Sequence, residues 1–549
     1  MALNDILKAQ LGRRALLKSS LVGGGTALAG SLFGGLISNP AWGADAAAKY
    51  ETSVIETSSG KLRGVVQQGV QTFRGIPYGA STAGSNRFMA PRKPEPWTGV
   101  RDAFQNGPTA PQLGGPPNPL IVGHRAPTFE SEDCLVVNVF TPAVSGKRPV
   151  MVWLHGGGFT SGSGSYSMYD GANLAAKHDV VVVTVNHRLN VFGYLYLAGL
   201  GGGEKYAHSS NVGMLDIIAS LEWVRDNVGA FGGDPGNVTI FGQSGGGGKV
   251  STLLGMPAAK GLFHRAIAMS GSAVKGTPRD HAAQGAGAFL AKLALKPNQL
   301  DELQKLPQAR LLEAMRGMRG LQLGPVVDGS TLPADPFDPV APEVSAGVPL
   351  MIGSTETEVT WNVNVNFDPL DDTALHNRLK ETLRADDAAV DRLISVYRKG
   401  RPQASNLDLY FIMATDASNF RTGTDTEAER KAALGKAPVY KYYFQWYSPV
   451  RDGKLRSYHT LDIPFVFQNV DIAQSMVGSG AERQALADKM SSAWVAFART
   501  GNPHTAKLPK WPAYSANSRE TMLFNNDSRV ESDPDRGPRL AMEHALKLA

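Results

Sequence analysis

Asn237-Val-Thr-Ile-Phe-Gly-Gln-Ser-Gly-Gly-Gly-Gly-Lys249 is the stretch from which the rest of this chain is best read. Residues 238–241 form an apolar, β-favouring run. The run breaks into Gly242-Gln243-Ser244-Gly245-Gly246, the G-x-S-x-G pattern of a nucleophile elbow. In such an elbow a serine sits on a sharp strand-to-helix turn, and flanking glycines avoid clashes with neighbouring backbone. The hydroxyl is then exposed beside a helix N-terminus, where free N–H groups favour negative charge. A phosphate-binding reading of the same glycines fails. G-x-x-x-x-G-K-[ST] needs glycine where Gln243 stands and Ser or Thr where Val250 stands.

The sequence upstream gives the serine a context. Pro149-Val-Met-Val-Trp-Leu154 reads as a buried strand and runs straight into His155-Gly156-Gly157-Gly158-Phe159. Acyl transfer needs donors aimed at the oxygen that gains charge in the tetrahedral intermediate. An HGGG-type turn supplies them as backbone N–H groups unobstructed by side chains. Gly157 and Gly158 are the expected donors, with Gly245, the residue after the nucleophile, as the third.

From here the chain resembles the type-B carboxylesterase family, which includes the bacterial para-nitrobenzyl esterases and the cholinesterases. The matching residues include Phe73-Arg-Gly-Ile-Pro-Tyr78, Arg87-Phe88, Ser131-Glu-Asp-Cys-Leu-Val-Val-Asn-Val-Phe140 and Asn186-His-Arg-Leu-Asn-Val-Phe-Gly193. They continue through Asn211-Val-Gly-Met-Leu-Asp216 and the long run Trp223-Val-Arg-Asp-Asn-Val-Gly-Ala-Phe-Gly-Gly-Asp-Pro-Gly-Asn-Val-Thr239. Pro325-Val-Val-Asp-Gly329, Ile463-Pro-Phe-Val-Phe467 and Trp494-Val-Ala-Phe-Ala-Arg-Thr-Gly-Asn-Pro503 follow. The resemblance implies an α/β-hydrolase fold: a mostly parallel central sheet covered by helices, with helical insertions walling an active-site gorge. It implies a serine carboxylic-ester hydrolase acting on small to medium esters through an acyl-enzyme, without cofactor or metal.

The base and the acid follow the serine in this fold, the acid first. Among the 11 histidines, His376 lies in a charged helical stretch, while His504 and His544 read as exposed bystanders. His459 stands in Arg456-Ser-Tyr-His-Thr-Leu-Asp-Ile-Pro-Phe-Val-Phe467, a polar loop entering an apolar segment. Similar family sequences carry the catalytic histidine three residues before an acidic residue followed by x-Pro-Phe, and Asp462 with Pro464-Phe465 fits that frame. Residues 348–352 read as a short buried strand, followed by Gly353-Ser-Thr-Glu-Thr-Glu358. The resemblance places the catalytic carboxylate at Glu358, five residues after the glycine. Glu356 is the local rival, and Asp328 reads better as a turn residue. Trp361 and Trp446 are candidates for lining an acyl or alcohol pocket, with ordinary packing the equal alternative.

Two positions depart from the family pattern: Gln243 and Gly245 stand where most relatives have Glu and Ala. Gln243 removes a charge. Gly245 keeps the N–H donor and loses a methyl, which suggests a looser turn. Cys134 is the only cysteine, so no intrachain disulfide exists, and a small buried residue is expected.

At 549 residues the chain reads as a signal segment, 1–44, ahead of one catalytic domain, 45–549. Alternation of apolar β runs with amphipathic stretches supports a helix-covered parallel sheet. One helix is expected over 215–228, with Ile218, Leu221, Trp223 and Val224 on its apolar side. Helix-rich segments are expected over 282–319 and 371–399, and an exposed charged tail over 525–539. Gly12-Arg-Arg-Ala-Leu-Leu-Lys18 matches the twin-arginine export pattern, with Gly12 and Leu16 at its usual Ser/Thr and Phe positions. Residues 19–44 carry no charge and end in Asn39-Pro-Ala-Trp-Gly-Ala44. That favours a cleaved signal over a stable membrane anchor, with cleavage after Gly43 or Ala44 or near Ala46. The expected address is periplasmic or secreted.

The formal charge of +6 falls to +3 without the signal segment, too mild an excess to suggest a nucleic-acid partner. The expected partner is a small-molecule ester. Three rival readings are weighed against the general esterase. A specialised hydrolase of xenobiotic or aromatic esters (phthalates, carbamates, mycotoxin esters) shares the same machinery. A lipase would call for an amphipathic lid, and a non-catalytic cholinesterase-like binding protein would lack the nucleophile.

Overall fold

Val-Val-Val-Thr-Val at 181–185 illustrates why the central sheet is covered on both faces. Successive side chains of a strand point to opposite sides, so an unbroken apolar run needs a core on each side. All five residues are buried. Val181, Val183 and Val185 join Val150, Val152 and Leu154 in one apolar layer. Val182, Met151 and Trp153 enter the other.

The computed structural model describes residues 50–114, 118, 120–124, 129–361 and 365–548. The twin-arginine segment expected at 1–44 lies outside the described residues. Among those described, eleven strands form the main sheet. They are β1 (Val65–Gln67), β2 (Val70–Pro77), β3 (Val136–Thr141), β4 (Arg148–Leu154), β5 (Val181–Val185) and β6 (Gly233–Gln243). β7 (Arg265–Met269), β8 (Leu350–Thr355), β9 (Val439–Phe444), β10 (Glu520–Phe524) and β11 (Arg529–Ser532) complete it. Their spatial order is β11-β10-β9-β8-β7-β6-β4-β5-β3-β2-β1. The run from β10 to β5 is parallel, and β11, β3, β2 and β1 are antiparallel to their neighbours. A mostly parallel sheet with helices on both faces is the α/β-hydrolase architecture expected above.

The principal helices are α1 (Val212–Asn227), α2 (Gly245–Leu254), α3 (Arg279–Lys292), α4 (Gln308–Met315) and α5 (Asp372–Leu383). α6 (Asp387–Gly400), α7 (Asn406–Asp416), α8 (Asn419–Ala433), α9 (Ala481–Thr500) and α10 (Arg536–Leu548) follow. Ile217, Leu221 and Val224 of α1 and Val250 and Leu253 of α2 complete the first apolar layer. Leu486, Met490, Trp494 and Phe497 of α9 complete the second. Among the described residues no helix is long and apolar enough to cross a membrane.

Three boundaries differ from the sequence expectations. α1 begins at Val212, ahead of the expected 215, because Gly213 is not a breaker here. A Cβ on Gly213 would lie 2.6 Å from the Tyr194 ring and 2.8 Å from the Arg188 carbonyl oxygen. β8 extends past the expected 352 to Thr355, since Gly353, Ser354 and Thr355 pair with Tyr442, Tyr443 and Phe444 of β9. Residues 525–539 are not an exposed tail. They hold β11 and the start of α10, and the charges of Asp533, Asp535 and Arg539 are paired inward. Asp533 meets Arg519, Arg536 and Arg539, and Asp535 meets Arg401.

Candidate active site

The two glycine motifs emerge side by side at a switch point of the sheet. β6 and β5 flank β4, so the chain crosses from one side of β4 to the other between them, and ligand sites in open α/β sheets favour such crevices. Register pairs Leu154 at the end of β4 with Gly242 near the end of β6. His155-Gly-Gly-Gly158 therefore leaves the sheet beside Ser244. The turn at Ser244 is abrupt. β6 ends at Gln243, α2 begins at Gly245, and Ser244 adopts φ 59°, ψ −126°, a conformation costly for a residue with a side chain. The Ser244 N–H donates to the Met269 carbonyl at 2.8 Å, and the Gly248 N–H donates to the Ser244 carbonyl at 3.0 Å. Ser244 itself is partly exposed, while Gln243 and Gly246 on either side of the turn are buried.

The glycines are required by close approach. A Cβ on Gly246 would stand 1.9 Å from the Leu154 carbonyl oxygen, and one on Gly245 would stand 2.2 Å from that of Gly158. The loss of a methyl at Gly245 thus does not loosen the turn, because the backbone of Gly158 occupies the space. Gly157 and Gly158 have φ +93° and +61°. Among the described residues their N–H groups meet no acceptor.

The remaining expected residues come from two loops on the far side of the crevice. Beyond β8 a short 3-10 turn, Glu358–Trp361, starts on Glu358. His459 lies in the loop ahead of residues 463–466. The Thr357 N–H donates to the Ser457 carbonyl at 3.0 Å, tying these loops together. Both side chains are buried, and His459 Nδ1–H donates to Glu358 Oε2 at 2.5 Å. Glu358 Oε1 accepts the Thr355 N–H at 2.7 Å, which fixes the carboxylate plane. Glu356 turns elsewhere, accepting from Gln445 at 3.0 Å and from the Tyr447 hydroxyl at 2.7 Å. Asp328 holds its own turn, accepting the N–H groups of Ser330 at 2.9 Å and Leu332 at 3.0 Å.

Gln243 links the two sides. Its side-chain nitrogen lies 3.4 Å from both ring nitrogens of His459, so the residue preceding Ser244 touches the imidazole. An amide here adds no charge beside the ring. Asp462, also buried, accepts from the Tyr442 hydroxyl at 3.0 Å. Burial and the neighbouring Glu358 push its carboxyl up to about 7. Trp361 approaches the imidazole with ring centroids 5.6 Å apart. Trp446 does not line the site. It is buried in the second core layer, edge-on to Phe465 at 5.1 Å. Phe420, near the start of α8, was not expected and lies 4.5 Å from the His459 ring. Nothing near it in sequence signals that contact.

Several long motifs prove to be scaffolding. Arg188 and Asp216 form a buried bidentate pair at 2.8 and 2.6 Å. Arg87 and Glu132 form another at 2.7 and 2.5 Å. Arg87 also donates to the carbonyls of Leu303 and Leu306. Cys134 is a free, buried thiol. Among the described residues no group of three or more His, Cys, Asp or Glu side chains is arranged to hold a metal ion.

The profile of the carboxylesterase family matches residues 51–539. The para-nitrobenzyl esterase of Bacillus subtilis is 39% identical over 501 residues, 88% of this chain and 96% of that protein. The phenmedipham hydrolase of Pseudarthrobacter oxydans is 32% identical over 492 residues, 86% and 95% of the two chains. The solved structure of a Geobacillus stearothermophilus carboxylesterase superposes with a TM-score of 0.77 at 37% identity, covering 89% of this chain and all of that one. This chain belongs to the carboxylesterase family and is a carboxylic ester hydrolase.

Proposed function

We propose that the protein hydrolyses small to medium carboxylic esters through Ser244, His459 and Glu358, by way of an acyl-enzyme. The observation that carries this reading is the short bond from His459 Nδ1 to the buried Glu358, formed where Gln243 brings the nucleophile elbow against the same imidazole. Ser244 attacks the ester carbonyl while His459 Nε2 takes its proton. Glu358 holds the tautomer with its proton on Nδ1 and stabilises the imidazolium without accepting that proton. The tetrahedral oxyanion is received by the N–H groups of Gly157, Gly158 and Gly245. His459 then protonates the leaving alcohol, and water attacks the acyl-enzyme by the same route.

A second reading narrows the substrate to aromatic or xenobiotic esters. It is favoured by Trp361 and Phe420, whose rings lie beside His459, and by the phenmedipham hydrolase among the relatives. Export by a twin-arginine signal ahead of a catalytic domain beginning near 45 completes the proposal, supported by Gly12-Arg-Arg-Ala-Leu-Leu-Lys18.

The test is hydrolysis of p-nitrophenyl esters, acetate through dodecanoate, by the wild type beside Ser244→Ala. The variant is expected to lose at least about 10⁴-fold in kcat. Equal rates in the two proteins would overturn the serine mechanism. A preference for aryl over alkyl acyl groups at equal chain length would favour the second reading.

A further inference from the structure

Lys249 ends the glycine run of the elbow, and the mechanism above leaves it without a task. It lies on α2, five residues after Ser244, and is fully buried. Its Nζ donates to the carbonyl oxygen of His155 at 2.8 Å and stands 5.7 Å from the centre of the Phe159 ring. His155 and Phe159 bracket the three glycines between them, so the ammonium holds the root of the glycine loop and faces the ring at its far end. Among the described residues no carboxylate pairs with it.

A buried cation without a counter-ion is costly, and an apolar side chain would fill the same space at less expense. Burial accordingly pushes the Lys249 ammonium down to about 7. The titratable groups facing it are also basic. The imidazoles of His155 and His187 stack with centroids 4.9 Å apart. Burial, and next the Lys249 charge itself, hold both well below the ordinary histidine value. Arg188, beyond His187, is neutralised by Asp216. The unbalanced positive charge of this pocket therefore resides on Lys249.

We propose that Lys249 is a positioning residue for ester hydrolysis: its ammonium engages the His155 carbonyl, fixes the bend that presents Gly157 and Gly158, and sets positive charge behind the developing oxyanion. No bond is made or broken at Lys249. The proposal rests on the reading of Ser244, Gly157 and Gly158 given above.

The experiment compares full-length wild type, Lys249→Met and Ser244→Ala. The readouts are p-nitrophenyl acetate kinetics, the affinity of a trifluoromethyl ketone that mimics the tetrahedral adduct, and fluorophosphonate labelling. Lys249→Met is expected to lower kcat by about 10- to 100-fold with KM within about threefold, and to weaken the ketone by the same factor. Unchanged kcat and ketone affinity overturn the proposal, as does a loss confined to KM or a fall in rate with ketone binding intact. Retained labelling or activity in Ser244→Ala instead overturns the underlying serine mechanism, so the two failures are distinct. Where Lys249→Met does not fold, Lys249→Gln carries the test: it keeps a donor for the His155 carbonyl and removes the charge. A fall of about tenfold in both kcat and ketone affinity is expected there, and unchanged values overturn the proposal.

Discussion

The two sides of the crevice are built on different principles. The side at β4 and β6 is made of backbone. The groups proposed to work there are N–H donors and one serine, placed by strand register and by contacts too close for any Cβ. The side at β8 and β9 is made of side chains. Glu358 and His459 stand 101 residues apart in sequence and meet through one 2.5 Å hydrogen bond, braced between their loops by the Thr357 N–H on the Ser457 carbonyl and the Thr360 hydroxyl on the Leu455 carbonyl. The first side should tolerate almost no added volume. The second should tolerate volume better than a change of charge.

The largest effect expected from this contrast lies on the side-chain half. Glu358→Gln preserves shape and removes the charge proposed to orient the imidazole and stabilise the imidazolium. We expect a loss of about 10⁴-fold in kcat, with the fold retained. Glu356→Gln, two residues away, should change kcat by less than about threefold, because its carboxylate serves Gln445 and Tyr447. Equal losses in the two variants, measured side by side on one p-nitrophenyl ester, would erase the distinction between these carboxylates.

The backbone half is tested by volume alone. In Gly246→Ala the new methyl group meets the Leu154 carbonyl oxygen at 1.9 Å, so the end of β4 that leads into the glycine loop must move. A loss of about 10²- to 10³-fold in kcat is expected, comparable to removing one oxyanion donor. Gly248→Ala, on the same helix, adds its methyl 3.7 Å from the Phe159 ring, an ordinary contact. That variant should keep its rate and gain up to about 1 kcal/mol of stability from the better helix former. If Gly246→Ala retains full kcat, the loop is more compliant than its packing implies.

The same division governs what could be read from the sequence. The backbone half was legible because glycine patterns report backbone geometry directly, and a short pattern after an apolar run fixes which strand ends where. The parallel sheet was legible for a related reason: unbroken runs such as 181–185 have no other stable home. The side-chain half was only partly legible. Glu356 and Glu358 differ by two residues and would share a face of an extended strand. What separates them is that β8 stops at Thr355 and a one-turn helix starts at Glu358, a boundary no local signal marks. Phe420 was invisible because α8 reaches His459 only through the tertiary fold. Residues 525–539 were misread because charge density cannot distinguish solvated charges from those paired inward, as Asp533 is.

The last prediction concerns the joint between the halves. α2 follows Ser244, and α8 carries Phe420 onto His459. Glu427 of α8 ties the two helices together. Its carboxyl accepts from the Ser251 hydroxyl of α2 at 2.7 Å and from the Ala273 N–H at 2.6 Å, and it is fully buried. Burial outweighs both hydrogen bonds and pushes the group up to about 8 from an ordinary value of 4.5. Between those two values the unfolded chain has lost the proton and the folded chain keeps it. Glu427 therefore contributes stability that is fully present below about 4.5 and is lost as the pH rises through about 8. Gln at this position keeps an oxygen for the Ala273 N–H and offers an amide to the Ser251 oxygen, and it does not titrate. Relative to Glu427→Gln, the wild type should lose stability by up to about 1.4 kcal/mol per pH unit across that window. Asp462, raised in the same direction, and Lys249, lowered, are present in both proteins and cancel in the difference. Thermal unfolding of the pair at pH 5, 6.5 and 8.5 measures it. A gap between the two melting temperatures that is constant with pH would mean that Glu427 is already ionised at its post between the helices.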